Sequence, residues 1–286
     1  MIGFGLNKAK RHFTEQLSKR FNARESKQLM RILLEDLLDI DVKRELLHPE
    51  MRIEESQYAA LQEAVGKLLD GMPIQYVTGI AQFDDLKLHV DSSVLIPRPE
   101  TEELLLHAAN DIPHHSPLRV WDVGTGSGCI AIALAKRRPR TEVFAFDVDE
   151  YALALAKQNA EHHQVNVNFI LDDVMAPSSD LWHQPVDLVV SNPPYVREAE
   201  RSTMEPNVLD YEPGLALFVP DDDPLRFYRQ ILTLARPQLT PHGIVWFEIN
   251  EALGNEILQL CHSMGLEASI LLDFASKPRF CRVKNN

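Results

Sequence analysis

At 286 residues the chain is long enough for one large domain or two smaller ones with cores of their own, and 45% hydrophobic with 25% charged residues is an ordinary globular balance. The formal net charge is −13, and the densest cationic cluster, Lys136-Arg137-Arg138 with Arg140, falls where a helix ends and cations balance its dipole. This argues against a phosphate-gripping basic face and therefore against a nucleic-acid partner. No apolar run approaches the ~20 residues that span a bilayer, and Lys8, Lys10 and Arg11 stand where a signal peptide needs its apolar core, so a cytoplasmic protein without a membrane partner is expected.

From Leu6 to about Leu69 the pattern is helical: Phe13, Leu17 and Phe21 recur at four-residue spacing, Leu29-Met30 through Leu38 make a second apolar face, and Tyr58, Leu61, Val65 and Leu68-Leu69 a third. Residues 1–73 are predicted to form a small helical bundle. Residues 74–96 change to short apolar stretches around Phe83 and Leu86-Lys87-Leu88-His89-Val90, which predict a β-hairpin linker, with Phe83 either at a substrate entrance or, the preferred reading, in the linker core. From 97 to 286 strands at 120–123, 143–146, 167–171, 188–190 and 244–249 alternate with helical text, and stretches 268–274 and 279–283 predict a terminal hairpin. That order implies an α/β sheet, whose ligands bind at the C-terminal ends of the strands.

Two motifs fall at such ends. The first is Gly124-Thr125-Gly126-Ser127-Gly128, between an apolar strand and the helical run that begins at Cys129. Glycines let the main chain approach a ligand, and a helix start offers free N–H groups. A dinucleotide fold would use the spacing Gly-x-Gly-x-x-Gly, but here the third glycine comes one residue early, with Cys129 in the expected place. The next strand ends at Asp147, a carboxylate suited to both hydroxyls of a ribose. The site reads as one for a nucleoside without a pyrophosphate.

The second motif, Ser191-Asn192-Pro193-Pro194-Tyr195, ends the buried strand Val186-Asp187-Leu188-Val189-Val190. Two prolines fix φ and donate no N–H, so the turn offers acceptors rather than donors. Acceptors suit an NH2 group on an sp2 carbon. The Asn192 side-chain carbonyl and the Pro193 main-chain carbonyl would each take one N–H, while Tyr195 packs against the flat group. Such a nitrogen is a poor nucleophile, its lone pair tied up in resonance that gives peptides a rotation barrier of roughly 18–20 kcal/mol. Orientation toward a strong electrophile is the main remedy. A nucleoside pocket beside an amide-gripping turn points to S-adenosyl-L-methionine as cofactor and to methyl transfer onto nitrogen, without a metal.

These residues resemble the PrmC/HemK family of protein N5-glutamine methyltransferases. The matching segments are 71–79 (Gly-Met-Pro-Ile-Gln-Tyr-Val-Thr-Gly), 95–103 with its Pro-Arg-Pro-Glu-Thr-Glu string, the glycine loop, Asp147, 191–195, and 212–217 (Glu-Pro-Gly-Leu-Ala-Leu). The resemblance implies a Rossmann-like, seven-stranded class I methyltransferase sheet and transfer to the glutamine of the Gly-Gly-Gln motif in peptide-chain release factors, recognised by the N-terminal helical domain. It assigns Gly124, Thr125, Gly126, Ser127 and Gly128 to the methionine moiety and Asp147 to the ribose. Asn192 would touch cofactor and substrate, and Asn192, Pro193, Pro194 and Tyr195 would hold the glutamine, with Asn192, Pro193 and Tyr195 as the catalytic set. Two positions depart from the pattern: Val174 stands where some relatives place an aromatic beside adenine, and Asn250 where they often have glycine. Rival activities are methylation of a ribosomal protein or of adenine N6 in nucleic acid, a nucleoside-binding protein without turnover, and a dinucleotide oxidoreductase. A monomer is expected.

The remaining chemistry-bearing residues read as structural. Cys129, Cys261 and Cys281 lack metal-ligand spacing and are expected as buried thiols. Asp221-Asp222-Asp223 is expected as a solvated turn, and His114-His115 and His162-His163 lack partners, so no metal is assigned.

Overall fold

The computed structural model describes residues 4–112 and 118–285; His114 and His115 lie outside them. The chain divides into two compact units, one taking the N-terminal part through Ile80 together with Pro206–Tyr211, the other Ala81–Glu205 and the part from Glu212 onward.

In the first unit the helices Leu6–Leu17, Ala23–Leu38 and Glu55–Leu69 enclose one apolar core. The four-residue spacing foreseen for Phe13 and Leu17 extends back to Leu6 and Ala9, all four buried on a single face. Asn22 starts the second helix by accepting the N–H groups of Arg24 and Glu25, and Glu54 and Gln57 form a reciprocal cap on the third. The first residues of the expected hairpin differ from the prediction. Ile74–Thr78 is a helical turn, because Ile74 and Val77 at three-residue spacing both pack on the helical core. Within this unit the short helix Pro206–Tyr211 brings the Tyr211 hydroxyl to the Asp70 carbonyl.

The second unit opens with the strand pair Ile80–Phe83 and Leu86–His89, and Phe83 is fully buried among Leu86, Leu88, Leu104 and Leu105, in the core role expected for it. The sheet that follows has seven strands: β1 (Arg119–Val123), β2 (Glu142–Asp147), β3 (Asn168–Leu171), β4 (Val186–Ser191), β5 (Leu239–Glu248), β6 (Leu266–Leu272) and β7 (Pro278–Asn285). Their spatial order is β6-β7-β5-β4-β1-β2-β3, parallel from β5 to β3, with β7 antiparallel to both its neighbours. The near-continuous apolar runs of β1, β2 and β4 have a simple cause. Val120, Val143, Ala145, Leu188 and Val190 enter one core cluster while Trp121, Phe144, Phe146 and Val189 enter another, so both faces are covered.

Register aligns the strand tips. Val123 lies opposite Phe146, Asp122 opposite Val190, and Phe247 opposite Ser191. The order reverses between β1 and β4, since β2 and β3 extend to one side and β5 to the other. Such a switch point leaves a crevice outside the strand ends. Among the described residues no helix is long and apolar enough to cross a membrane, and all three cysteines are buried free thiols.

Candidate active site

The crevice at that switch point is a cavity of about 1140 Å³, its open mouth included. Its walls include Gly124, Thr125, Gly126 and Ser127 of the glycine loop, the tip residues Phe146 and Asp147 of β2, Asp173 and Val174 after β3, and Ser191 at the end of β4 with Asn192, Pro193 and Pro194 after it. Further walls come from Val94, Leu95, Pro97, Arg98 and Thr101, and from Pro213, Leu215 and Ala216.

The three glycines of the loop all have positive φ, yet they serve different ends. A Cβ built on Gly124 or Gly126 meets nothing within 4 Å, so at these two positions the main chain itself is the cavity wall. A Cβ on Gly128 would lie 2.9 Å from Ile132 Cδ1 and 3.1 Å from Ala156 Cβ, so this glycine lets the helices Cys129–Arg137 and Glu150–His162 approach. The loop is tied down from three sides. Gly126 N–H donates to Asp147 Oδ2 at 2.8 Å, Thr125 Oγ1 donates to Asp122 Oδ2 at 2.7 Å, and the Ser127 carbonyl accepts from the fully buried Asn159 side chain. Asp122 also accepts from Ala131 N–H, but its Oδ1 has no hydrogen-bond partner, and burial pushes its pKa up to about 7.

Asp147 keeps a cavity face while accepting from Gly126 and from Asp149 N–H. Burial pushes its pKa up and those backbone hydrogen bonds oppose the shift. Behind Val174, Asp172 accepts from Ser178, Ser179 and the Trp182 indole. Burial opposes its charge, but these hydrogen bonds outweigh it and hold its pKa below the ordinary value. Open main chain at Gly124 and Gly126, a carboxylate with spare lone pairs at Asp147 and an apolar wall of Phe146, Val148 and Val174 fit a nucleoside carrying a zwitterionic tail, such as S-adenosyl-L-methionine.

Across the crevice Ser191 Oγ donates to the Val123 carbonyl at 2.6 Å, pinning the tip of β4 to that of β1. The next residue, Asn192, donates through Nδ2 to Thr101 Oγ1 at 3.1 Å, and no donor among the described residues reaches its Oδ1. Thr101 in turn donates to Glu248 Oε2 at 2.7 Å, and Tyr195 OH to Glu248 Oε1 at 3.1 Å. Glu248 is 1% exposed. Burial pushes its pKa up, while the Thr101 and Tyr195 hydrogen bonds and the charge of Arg279 pull it down. The Tyr195 phenol is raised far above its usual value by burial and by the neighbouring Glu248 charge, so it stays protonated and donating.

The cavity therefore gathers Gly124, Thr125, Gly126, Ser127, Asp147, Val174, Asn192, Pro193 and Pro194 on its walls. Gly128 lies behind the loop, packed on the helices. Tyr195 is not among the lining residues; its ring packs on the core beneath the sheet tips and its hydroxyl is committed to Glu248. Cys129 borders the cavity with a thiol pushed up to about 12 by burial, which leaves it without nucleophilic character. Asn250, the unusual residue after β5, caps Ala252 N–H with its carbonyl and donates to the Tyr195 carbonyl and to Glu200, so it braces the turn from behind.

Thr101, Glu248, Arg98 and Glu212 escaped the sequence reading as site residues. Arg98 pairs with the buried Glu212 at 2.5 Å, and Glu212 also accepts from Ile96 N–H, joining two cavity walls 114 residues apart in the chain. The signal was present in the strings 97–102 and 247–250, but only the fold shows which members meet.

Comparison with known proteins agrees with this geometry. Residues 8–79 match the family model described as PrmC N-terminal domain, and residues 101–208 the one described as Methyltransferase small domain. The release factor glutamine methyltransferase of Flavobacterium psychrophilum is 40% identical over 262 residues, which cover 91% of each chain. That of Bacteroides thetaiotaomicron is 40% identical over 255 residues, covering 89% of this chain and 91% of its own. Among solved structures, a methyltransferase from Pyrococcus furiosus aligns with a TM-score of 0.51 at 18% identity, covering 80% of this chain and 98% of its own, a likeness of fold alone. With two-fifths of its residues shared across nine-tenths of such relatives, this chain belongs to the PrmC/HemK family of release factor glutamine methyltransferases.

Proposed function

We propose that this chain transfers a methyl group to the side-chain amide nitrogen, N5, of the glutamine in the Gly-Gly-Gln motif of peptide-chain release factors. The observation that carries the reading is Asn192. It lines the same cavity as the open main chain of Gly124 and Gly126 and the carboxylate of Asp147, and its Oδ1 has no donor among the described residues. When bound, S-adenosyl-L-methionine supplies an electrophilic methyl group on a positively charged sulfur. Gly124, Thr125, Gly126 and Ser127 would hold its methionine part, Asp147 would accept from its ribose hydroxyls, and Val174 would offer adenine an aliphatic wall.

The chain's own part at the substrate is orientation. Asn192 Oδ1 accepts one hydrogen of the glutamine NH2 and the Pro193 carbonyl the other, which fixes the plane of the amide and leaves a face of its nitrogen clear. Asn192 does not act as a base. The amide nitrogen becomes acidic only after it has been alkylated, so its proton can depart to water at that stage. Pro194 limits the width of the slot, and Tyr195 serves from behind through Glu248 instead of lying against the amide.

The helical region, residues 1–73, is assigned to recognition of the release factor, the hairpin region 74–96 to linking it, and residues 97–286 to catalysis. A cytoplasmic monomer that makes no direct contact with nucleic acid is consistent with the acidic balance and with three buried free thiols. The test is to incubate the protein with isotopically labelled S-adenosylmethionine and an unmethylated release factor, then locate the added mass by peptide mass spectrometry. A single methyl on the Gly-Gly-Gln glutamine is expected. Label on a ribosomal protein or on adenine instead would assign the site to one of those substrates.

A further inference from the structure

The chain Asn192–Thr101–Glu248–Tyr195 has a direction. Glu248 as a carboxylate has only lone pairs, and its two oxygens are met by two hydroxyls, Thr101 at 2.7 Å and Tyr195 at 3.1 Å. A hydroxyl has one proton. Since Thr101 gives its proton to Glu248, it turns lone pairs alone toward Asn192, and only the NH2 end of the Asn192 amide can satisfy them. The opposite arrangement, with Thr101 donating to Asn192 Oδ1, would strip Glu248 Oε2 of a donor at a site that is 1% exposed. The side chain of Asn192 is thus held with its carbonyl toward the cavity.

Resting on the methyl-transfer reading above, we infer that Thr101 and Glu248 are positioning residues that lock the Asn192 amide in one orientation, so that the site accepts a primary amide and rejects a carboxylate. An asparagine free to turn by 180° would present a carbonyl to a glutamine NH2 or an NH2 to a glutamate oxygen with similar ease. Locked, it sets Oδ1 against the carboxylate of a glutamate, lone pair against negative charge. The relay also explains why the position holds asparagine when its cavity-facing atom is only an acceptor. An aspartate would place a second carboxylate oxygen against the lone pairs of Thr101, close to Glu248.

The test compares binding of a release factor carrying either Gln or Glu at the Gly-Gly-Gln position, with S-adenosylhomocysteine present so that no turnover occurs. The wild type should prefer the Gln form by roughly 30-fold or more, the scale of an unpaired charge facing a buried acceptor. In Thr101→Val the freed amide should turn, reducing the preference to about 3-fold or less, while calorimetric affinity for S-adenosylhomocysteine stays within about 2-fold. Thr101→Ser retains the hydroxyl and should restore the preference. A Thr101→Val protein that keeps the wild-type discrimination overturns the inference, as a merely structural threonine would. If Thr101→Val does not fold, Asn192→Asp carries the test. Loss of Gln-form binding supports the lock, and wild-type binding by this equally good acceptor overturns it. A wild type that neither binds nor methylates the Gln form overturns the function itself, a different result from normal methylation with unchanged discrimination in Thr101→Val.

Discussion

The two turns that face each other across the crevice solve the same problem by opposite means. The glycine loop after β1 presents main chain. Its conformation is set by three positive-φ residues within five positions, and its two carboxylate anchors are one strand away or nearer, Asp122 at the end of the preceding strand and Asp147 at the adjacent tip, with Asn159 of the helix Glu150–His162 as the third anchor. The turn after β4 presents the Asn192 side chain beside the Pro193 carbonyl, and the orientation of that side chain depends on Thr101 and Glu248, themselves 147 residues apart in sequence. A backbone site is written locally and tolerates little change of residue type. A side-chain site relies on tertiary structure and is sensitive to the polarity of groups that never touch the ligand.

The largest expected effect lies on the side-chain side. Asn192→Ala removes the only cavity-facing acceptor that the relay holds, and kcat should fall roughly 10²- to 10³-fold, the range for loss of one preorganised hydrogen bond at a reacting group. Cofactor affinity, assigned chiefly to the other turn and to Asp147, should fall far less than kcat by calorimetry. If kcat survives, orientation of the amide does not depend on this turn.

Next come the glycines, which separate ligand contact from packing within one loop. Gly126→Ala places a methyl group in open cavity at φ +52°, at a cost of about 1–2 kcal/mol in backbone strain, and S-adenosylmethionine affinity should drop while the fold survives. Gly128→Ala combines similar strain at φ +82° with contacts of 2.9 and 3.1 Å, so the loss of about 2 kcal/mol or more should appear chiefly in the urea midpoint. Equal effects of the two substitutions on binding and stability would erase the distinction. Asp147→Ala should weaken S-adenosylmethionine binding by roughly tenfold or somewhat more, since it removes the ribose acceptor and also frees the N–H groups of Gly126 and Asp149. Unchanged affinity would reassign Asp147 to loop support alone.

The same contrast decides what could be read in advance. The apolar runs of β1 and β4 announced buried strands, and the glycine spacing announced a nucleoside site, because each signal is complete within a dozen residues. Asn192 was visible for the same reason. Its orientation was not, because nothing in 97–102 says that Thr101 meets Glu248, and a hydroxyl's donor or acceptor role is set by its partner rather than by its identity. Tyr195 illustrates the cost. An aromatic beside an amide-binding turn suggests stacking, whereas the buried carboxylate below it claims the hydroxyl and takes the ring out of the cavity wall. The helical turn Ile74–Thr78 was mistaken for strand because three-residue spacing over five positions is too short to distinguish the two.

The smallest effect concerns the loop's inner anchor. Asp122 is fully buried with one oxygen unpartnered, and burial pushes its pKa up to about 7 from an ordinary 3.8. The folded state then holds a proton that the unfolded chain has released, so between those values stability falls as pH rises, and the loss is complete above the folded-state value. From pH 6 to pH 8 this amounts to about 1 kcal/mol. Burial shifts Asp147 and Glu248 in the same direction, so the wild-type slope alone would not isolate Asp122. Asp122→Asn does, because it keeps an acceptor for Thr125 and Ala131 but cannot titrate. Urea midpoints at the two pH values should converge in the variant by about that amount relative to the wild type. An identical pH response in both proteins would mean that Asp122 is already ionised at pH 6, with the glycine loop fastened by a charge instead of a neutral acid.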